Sequence, residues 1–304
     1  MNMMKEIPQS YKKENEKGGT VVRVDYVTKT YDEKNETLEK YALVYLPYGY
    51  DESKKYPVFY MLHGGGGVME FYFHTDGSST QFKNFLDNMI ANGDIEPLIV
   101  VAPTYYPLRP CDRSIQATAE YIKNFYNEIA NDLIPAVEGR FSTYAKTTDK
   151  EGLKASRDYR AFGGFSMGAL ATWYSFIYCL DEFRYFMPMS GDCWVMGEKG
   201  GRVYPKETAE YLENAVLQSG HGADDFFIYA LTGEKDIAFE PMDNQIKAMK
   251  IHAPLFKFIT DENPAGNTCF RVHPEGVHNH DYVEQYIYNA LPTFWSGAPI
   301  LDII

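Results

Sequence analysis

The chain has little cysteine, and none of it is paired in sequence. Cys111, Cys179, Cys193 and Cys269 are scattered without CxxC spacing, which excludes a zinc ribbon or a dithiol redox motif and leaves one disulfide or free buried thiols open. Positive charge is also scarce. Lys and Arg number 29 against 42 Asp and Glu, for a net charge of −13, and no basic run exceeds Lys12-Lys13 or Lys54-Lys55. That balance argues against nucleic acid or an anionic membrane as partner. No apolar stretch is long enough to span a bilayer, and the N-terminus has no apolar leader core. The expected location is therefore the cytoplasm, or the exterior for a mature form trimmed of its signal. No repeat and no linker composition is present. Residues 1–19 are polar and aperiodic and are expected to be a mobile arm. Residues 20–304 are expected to form one domain.

Aromatics are abundant: 25 Tyr and 19 Phe exceed what a core of 304 residues needs, so some are available to line a sugar- or aryl-binding cleft. The apolar pattern changes along the chain. Val22, Val24 and Tyr26 alternate with polar neighbours, as in a half-buried antiparallel strand. Residues 58–62 and 98–102 are continuous apolar runs, as in strands buried on both faces. Helical patterns over 80–91, 116–138, 169–180, 206–218, 241–251 and 282–294 then alternate with strand-like runs at 160–163, 186–189, 226–231 and 270–272. The fold class is α/β: a mixed, mostly parallel central sheet with helices on both faces. Residues 142–158 and 197–201 read as loops.

Gly164-Phe165-Ser166-Met167-Gly168 sits between a strand-like and a helix-like segment. That is the context in which Gly-x-Ser-x-Gly forms a nucleophile elbow, a strained turn that lifts the serine hydroxyl above the sheet edge. Serine needs a base, and the base needs an acid to orient it. In α/β-hydrolases both follow the serine, acid first. His278 and His280 lie between the last strand and the last helix, with His278 favoured as base and His280 second. The acid should follow the strand at 226–231. Asp236, at the tip of Thr232-Gly233-Glu234-Lys235-Asp236, is favoured over Glu234. Each gap leaves room for one β-α unit. For the oxyanion, Met167 offers a backbone N–H at a helix start. His63-Gly64-Gly65-Gly66-Gly67 follows a buried strand like the HGGG-type loop of esterases and nominates Gly65 as second donor. The Lys-Ser/Thr ending of a phosphate loop is missing. No metal site and no organic cofactor is implied.

These residues, with Val44–Asp51, Glu96–Val101, Tyr185–Asp192 and Tyr286–Pro292, resemble the family 1 carbohydrate esterases, and most of all the feruloyl esterase domains attached to clostridial xylanases. The resemblance spans about residues 40–295. It implies the α/β-hydrolase fold, places Ser166, Asp236 and His278 on nucleophile, acid and base, and places Gly65 and Met167 on the oxyanion donors. It also places Trp194 on an aromatic bordering the acyl site. An acyl pocket rimmed by Trp194, Tyr105, Tyr106 or Phe71 would suit ferulate, and one closed by them would suit acetate. The implied activity is release of hydroxycinnamate from arabinoxylan or xylo-oligosaccharides of the plant cell wall. Acetyl xylan esterase, acyl transfer to a sugar and a catalytically inactive carbohydrate-binding protein are the alternatives. Two departures stand out: Ala169 where a further glycine is frequent, and Asn279-His280-Asp281 where aromatics follow the histidine.

Overall fold

The computed structural model describes residues 4–296, which fall into two compact units, Ile7–Arg160 and the chain from Ala161 onward together with the first residues through Glu6. The first unit holds strands β1 (Thr20–Lys29), β2 (Thr37–Leu46), β3 (Val58–Leu62) and β4 (Ile99–Ala102). Its helices are α1 (Gln81–Ala91), α2 (Ile115–Glu128), α3 (Ile134–Glu138) and α4 (Lys150–Ala155). β1 and β2 pair antiparallel from Thr20↔Leu46 to Lys29↔Thr37. β2 runs antiparallel to β4, and β4 parallel to β3. The second unit is built on β5 (Arg160–Phe165), β6 (Tyr185–Met189), β7 (Phe227–Gly233) and β8 (Thr268–His273), paired parallel in that order. Between and after them come α5 (Met167–Tyr178), α6 (Gly200–Val203), α7 (Pro205–Ser219), α8 (Phe239–His252) and α9 (Asp281–Ala290). Strands are mixed in the first unit and parallel in the second, as the change of apolar pattern implies.

Four segments differ from the sequence expectation. The helix expected over 116–138 is interrupted by a π-turn at Ile129–Leu133, just before Pro135. Proline cannot donate to the carbonyl four residues back, and a wider turn relieves the clash. The expected loop at 142–158 contains α4, capped by the Asp149 side chain on the Gly152 N–H, and the loop at 197–201 runs into the short α6. The segment expected to be a mobile arm is held by hydrogen bonds. Tyr11 is buried and donates to Asp94 at 2.6 Å, while Asn88 donates to the Lys13 carbonyl at 2.8 Å. In the second unit, Lys5 N–H donates to the Asn289 side chain at 2.8 Å, and that side chain donates back to the Lys5 carbonyl at 3.0 Å.

The aromatic residues mostly go inside. In the second unit Phe176 meets Phe186 and Phe226 edge-on, each at 5.1 Å between centroids. In the first unit buried tyrosines satisfy buried carboxylates: Tyr26 donates to Glu128 at 2.6 Å and Tyr45 to Asp87 at 2.7 Å. Among the described residues none of the four cysteines is in a disulfide, and three of them are buried.

Glu138, at the end of α3, is the most heavily bonded of these carboxylates. It takes Arg160 Nε at 2.6 Å, Tyr60 Oη at 3.1 Å and Thr143 Oγ1 at 2.9 Å, with both ion-pair side chains 1% exposed. Breaking such a pair strands a buried charge, which costs about 3–5 kcal/mol. Glu138→Gln should therefore lower the urea-unfolding free energy by about that amount. A loss below about 1 kcal/mol would show that Arg160 finds other acceptors.

Candidate active site

The parallel unit builds the site from its strand ends. β5 delivers Ser166, whose backbone is held at φ 57° and ψ −116°. No side chain tolerates that conformation freely, so the surroundings must fix it. The Ser166 N–H donates to the Met189 carbonyl at 2.8 Å, and the Ser166 carbonyl accepts from Ala169 at 2.8 Å to start α5. A Cβ on Gly164 would lie 2.4 Å from the Gly168 carbonyl oxygen, so the strand and helix meet backbone to backbone. Ala169 fits because its neighbour is Gly191: a Cβ there would come within 2.8 Å of the Ala169 methyl. Met167 opens α5, so its N–H has no acceptor within the helix and points out of the positive end of the helix.

β7 delivers Asp236 and β8 delivers His278. His278 Nε2 lies 2.8 Å from Ser166 Oγ, and His278 Nδ1 lies 2.7 Å from Asp236 Oδ1. An ionised carboxylate only accepts, so Nδ1 carries the hydrogen and Nε2 accepts from the serine hydroxyl. Asp236 is buried, and its Oδ1 also accepts from Ala238 N–H at 2.8 Å. The imidazole lies over Phe165 with centroids 4.8 Å apart. Two loops are locked together to achieve this. Glu234 N–H donates to the His273 carbonyl at 2.9 Å and Lys235 N–H to the Gly276 carbonyl at 3.0 Å. Gly233 and Gly276 touch along their backbones, and a Cβ on Gly276 would stand 2.6 Å from Gly233 Cα.

The runner-up residues fall elsewhere. Glu234 is exposed. His280 precedes α9 and packs on Phe165, and burial holds its imidazole below the ordinary histidine range against the pull of Asp281.

In the first unit, Gly64 to Gly67 form a tight turn closed by the Gly67 N–H on the Gly64 carbonyl at 3.1 Å, with Gly66 at φ 70°. Gly65 is exposed on this turn. His63 Nδ1 donates to the Gly64 carbonyl at 2.8 Å, so its Nε2 accepts from Thr104 Oγ1 at 2.7 Å. Tyr105 Oη donates to the same carbonyl at 2.7 Å, and Tyr106 Oη accepts the Gly66 N–H at 2.9 Å. The structure thus gives Tyr105 and Tyr106, expected to rim an acyl pocket, a part in shaping the glycine turn. They are 3% and 1% exposed, and their hydroxyls hold the glycine turn. Phe71 is exposed at the end of a short 3-10 turn after it.

Trp194 follows β6 and is half-buried; its indole N–H donates to Asp192 Oδ1 at 3.0 Å. Asp192 Oδ2 accepts the Gly201 N–H at 2.8 Å, so one carboxylate fixes both the tryptophan and α6. Burial raises the Asp192 carboxyl above its ordinary range, and these two donors oppose the rise. Sequence reasoning missed Asp192, although it lies inside the Tyr185–Asp192 run that carries the family resemblance. Among the described residues no His, Cys, Asp and Glu group could hold a metal ion, and no helix is long and apolar enough to cross a membrane.

A serine on a strand–turn–helix elbow, bonded to an imidazole that a buried carboxylate orients, defines a serine hydrolase site, and the strands and helices around it are those of an α/β-hydrolase. The chain belongs to the esterase family: the model described as a putative esterase matches residues 39–253. Endo-1,4-beta-xylanase Y of Acetivibrio thermocellus is 42% identical over 288 residues, which is 95% of this chain and 24% of that protein. The endo-1,4-beta-xylanase/feruloyl esterase of Xylanibacter ruminicola is 31% identical over 163 residues, 52% of this chain and 20% of that protein. The chain thus spans a quarter or less of the length of these curated relatives. Among solved structures, the feruloyl esterase module from Clostridium thermocellum, a serine-to-alanine mutant complexed with sinapinate, is 40% identical with a TM-score of 0.82, covering 97% of this chain and 94% of that one. A ferulic acid esterase from Anaeromyces mucronatus in complex with ferulic acid shares the fold at 19% identity and a TM-score of 0.63, covering 95% of this chain and 96% of that one. The resemblance read from sequence, to the feruloyl esterase domains of clostridial xylanases, is borne out.

The contact between Gly233 and Gly276 gives a direct test of loop placement. Gly276→Ala should push the acid and histidine loops apart, lowering kcat about tenfold or more and the stability by about 1–3 kcal/mol. Steady-state kinetics and thermal unfolding measure both. Wild-type kcat in this variant would mean that the two loops do not depend on that contact.

Proposed function

We propose that this chain is a feruloyl esterase module, a single catalytic domain over residues 20–304 that hydrolyses hydroxycinnamoyl esters on arabinoxylan or xylo-oligosaccharides through an acyl-enzyme. One observation carries the reading: an unbroken Ser166–His278–Asp236 relay stands in a chain that aligns over 97% of its length with a feruloyl esterase module. Ser166 Oγ attacks the ester carbonyl while its proton passes to His278 Nε2. Asp236 stabilises the imidazolium from the Nδ1 side. The tetrahedral oxyanion takes the Met167 N–H, with Gly65 as the second donor on the strength of the His63–Gly67 pattern. A donor of this kind is worth about 2.7–4 kcal/mol of barrier. Collapse breaks the bond to the sugar oxygen, which leaves with the proton from His278. Water, deprotonated by the same imidazole, then releases the hydroxycinnamate and restores Ser166. The acidic charge of the chain supports a neutral glycan ester as substrate over nucleic acid or a membrane surface.

Rates compared side by side on methyl ferulate, 4-nitrophenyl acetate and acetylated xylan test the substrate class. Ser166→Ala and His278→Ala should each lower kcat by about 10⁴-fold or more, because the two act as a unit, whereas His280→Ala should stay within about tenfold of wild type. Retention of a tenth of the rate by Ser166→Ala would rule out the serine mechanism, and a preference for acetylated xylan would make the chain an acetyl esterase.

Trp194 is the candidate wall for the acyl ring. Its half-buried position, fixed by Asp192, suits a stacking surface more than a core role. Trp194→Ala should cost about tenfold or more in kcat/KM on methyl ferulate, since an aromatic contact adds about 0.5–1.5 kcal/mol beyond its buried area. The loss on 4-nitrophenyl acetate should be smaller, because acetate has no ring. Equal losses on both substrates would remove Trp194 from the acyl site.

A further inference from the structure

The relay uses one oxygen of Asp236. Oδ1 takes both the imidazole N–H and the Ala238 amide, while Oδ2 is buried with no hydrogen-bond partner among the described residues. Among the buried hydroxyls that share that condition are Ser190 Oγ and Tyr286 Oη, on residues fully shielded from solvent. The three groups are neighbours. Tyr286 Oη lies 3.0 Å from where a Gly276 Cβ would stand, and the Gly276 carbonyl is bonded to Lys235, the residue before Asp236. Ser190 stands at the end of β6, in a left-handed backbone conformation at φ 53°, with its N–H on the Leu231 carbonyl of β7. Tyr286 feels both of the others: burial raises its phenol most, the Asp236 charge adds to the rise, and the Ser190 hydroxyl opposes it.

A buried carboxylate oxygen without a donor bears its whole desolvation penalty, and so does a buried hydroxyl without an acceptor. One acceptor and two hydroxyls, buried as neighbours without a hydrogen-bond partner among the described residues, are what a single buried water satisfies. We propose that Asp236 Oδ2, Ser190 Oγ and Tyr286 Oη form a water-binding site behind the relay, and that Tyr286 is a positioning residue acting on Asp236 through that water. The water donates one hydrogen to Oδ2 and accepts the hydroxyl hydrogens of Tyr286 and Ser190. It fixes the rotation of the carboxylate, so that Oδ1 stays on His278, and it draws part of the negative charge toward Oδ2.

The titratable and charged groups on the loops and helix around the carboxylate include His278 and His280 from the histidine loop, Glu234 and Lys235 from the acid loop, and Asp281, Tyr282, Glu284 and Tyr286 from α9. Of these, Tyr286 alone carries a buried hydroxyl without a hydrogen-bond partner among the described residues, and its phenol feels the Asp236 charge. Without the water, more charge remains on Oδ1 and the imidazolium is favoured. The acid limb of kcat/KM, where the protonated imidazole can no longer act as base, then moves to higher pH.

The inference rests on the serine-esterase reading, and the tests separate the two. In wild-type crystals at high resolution, a water should lie within hydrogen-bond distance of all three oxygens. Tyr286→Phe should lower kcat about threefold to tenfold, leave KM for methyl ferulate within about twofold, and raise the acid limb by about half a pH unit. Ser190→Ala should move the limb in the same direction and carries the test if Tyr286→Phe fails to fold. Absence of the water from well-defined wild-type density, or an unmoved acid limb in a folded variant, overturns the proposal. If Ser166→Ala is inactive while the limb stays fixed, the water site alone fails. If Ser166→Ala stays active, it is the esterase mechanism that fails.

Discussion

The backbone of Ser166 is the constraint on which the site depends. At φ 57° the serine sits where only glycine is at ease, and holding it there costs about 1–3 kcal/mol. The chain meets that cost with contacts that leave no alternative. Gly164 lets β5 touch α5 without a side chain between them, Met189 takes the serine amide, and Gly191 yields space to the Ala169 methyl. The same turn starts α5 immediately after the serine, so the unbonded amide of Met167 lies beside the nucleophile as a consequence of the strain. The Ser166 hydroxyl and the free first amide of α5 are therefore placed by a single backbone turn.

The acid and the base are placed by a second backbone contact. Gly233 ends β7 and Gly276 follows β8, and their touching backbones bring Asp236 and His278 within one hydrogen bond. Side-chain preference alone would not do this, because both loops carry other candidates. Glu234 is two residues from Asp236 but exposed; His280 is two residues from His278 but turned into the start of α9. The relay is thus selected by loop geometry among chemically equivalent neighbours.

Much of this was legible in the sequence, for identifiable reasons. The buried strands β3 and β4 show as unbroken apolar runs, and β1 shows as alternation, because burial on two faces or one writes those patterns directly. Ser166 was legible because the elbow needs fixed residue types at fixed spacing, and Asp236 and His278 because chain order restricts where they can fall. The aromatic excess was harder to read. Tyr105 and Tyr106 were expected at a pocket rim, but a phenol also fills a core while carrying a polar tip, and both hydroxyls bond the glycine turn, Tyr105 as donor and Tyr106 as acceptor. Tyr26, Tyr45 and Tyr60 donate theirs to buried carboxylates. The π-turn before Pro135 left only the proline as a signal, inside an otherwise regular helical pattern. Asp192, Gly233 and Ser190 were illegible because their roles are tertiary contacts that no spacing encodes.

The parallel unit distributes its chemistry strand by strand. β5 ends in the nucleophile, β6 in Ser190 and the Asp192–Trp194 pair, β7 in the acid and β8 in the base. Ligands in open parallel sheets gather at the carboxyl ends of strands, where the loops are free to vary while the strands stay packed. Here the division goes further. The products of β5, β7 and β8 are fixed by backbone contacts between glycines, which leave little freedom to change. The product of β6 is fixed by side-chain hydrogen bonds from Asp192 to Trp194 and to α6. A bond of that kind can be redrawn by a single substitution without moving a strand. The segment after β6 is therefore the part of this unit that can change while the relay stays intact.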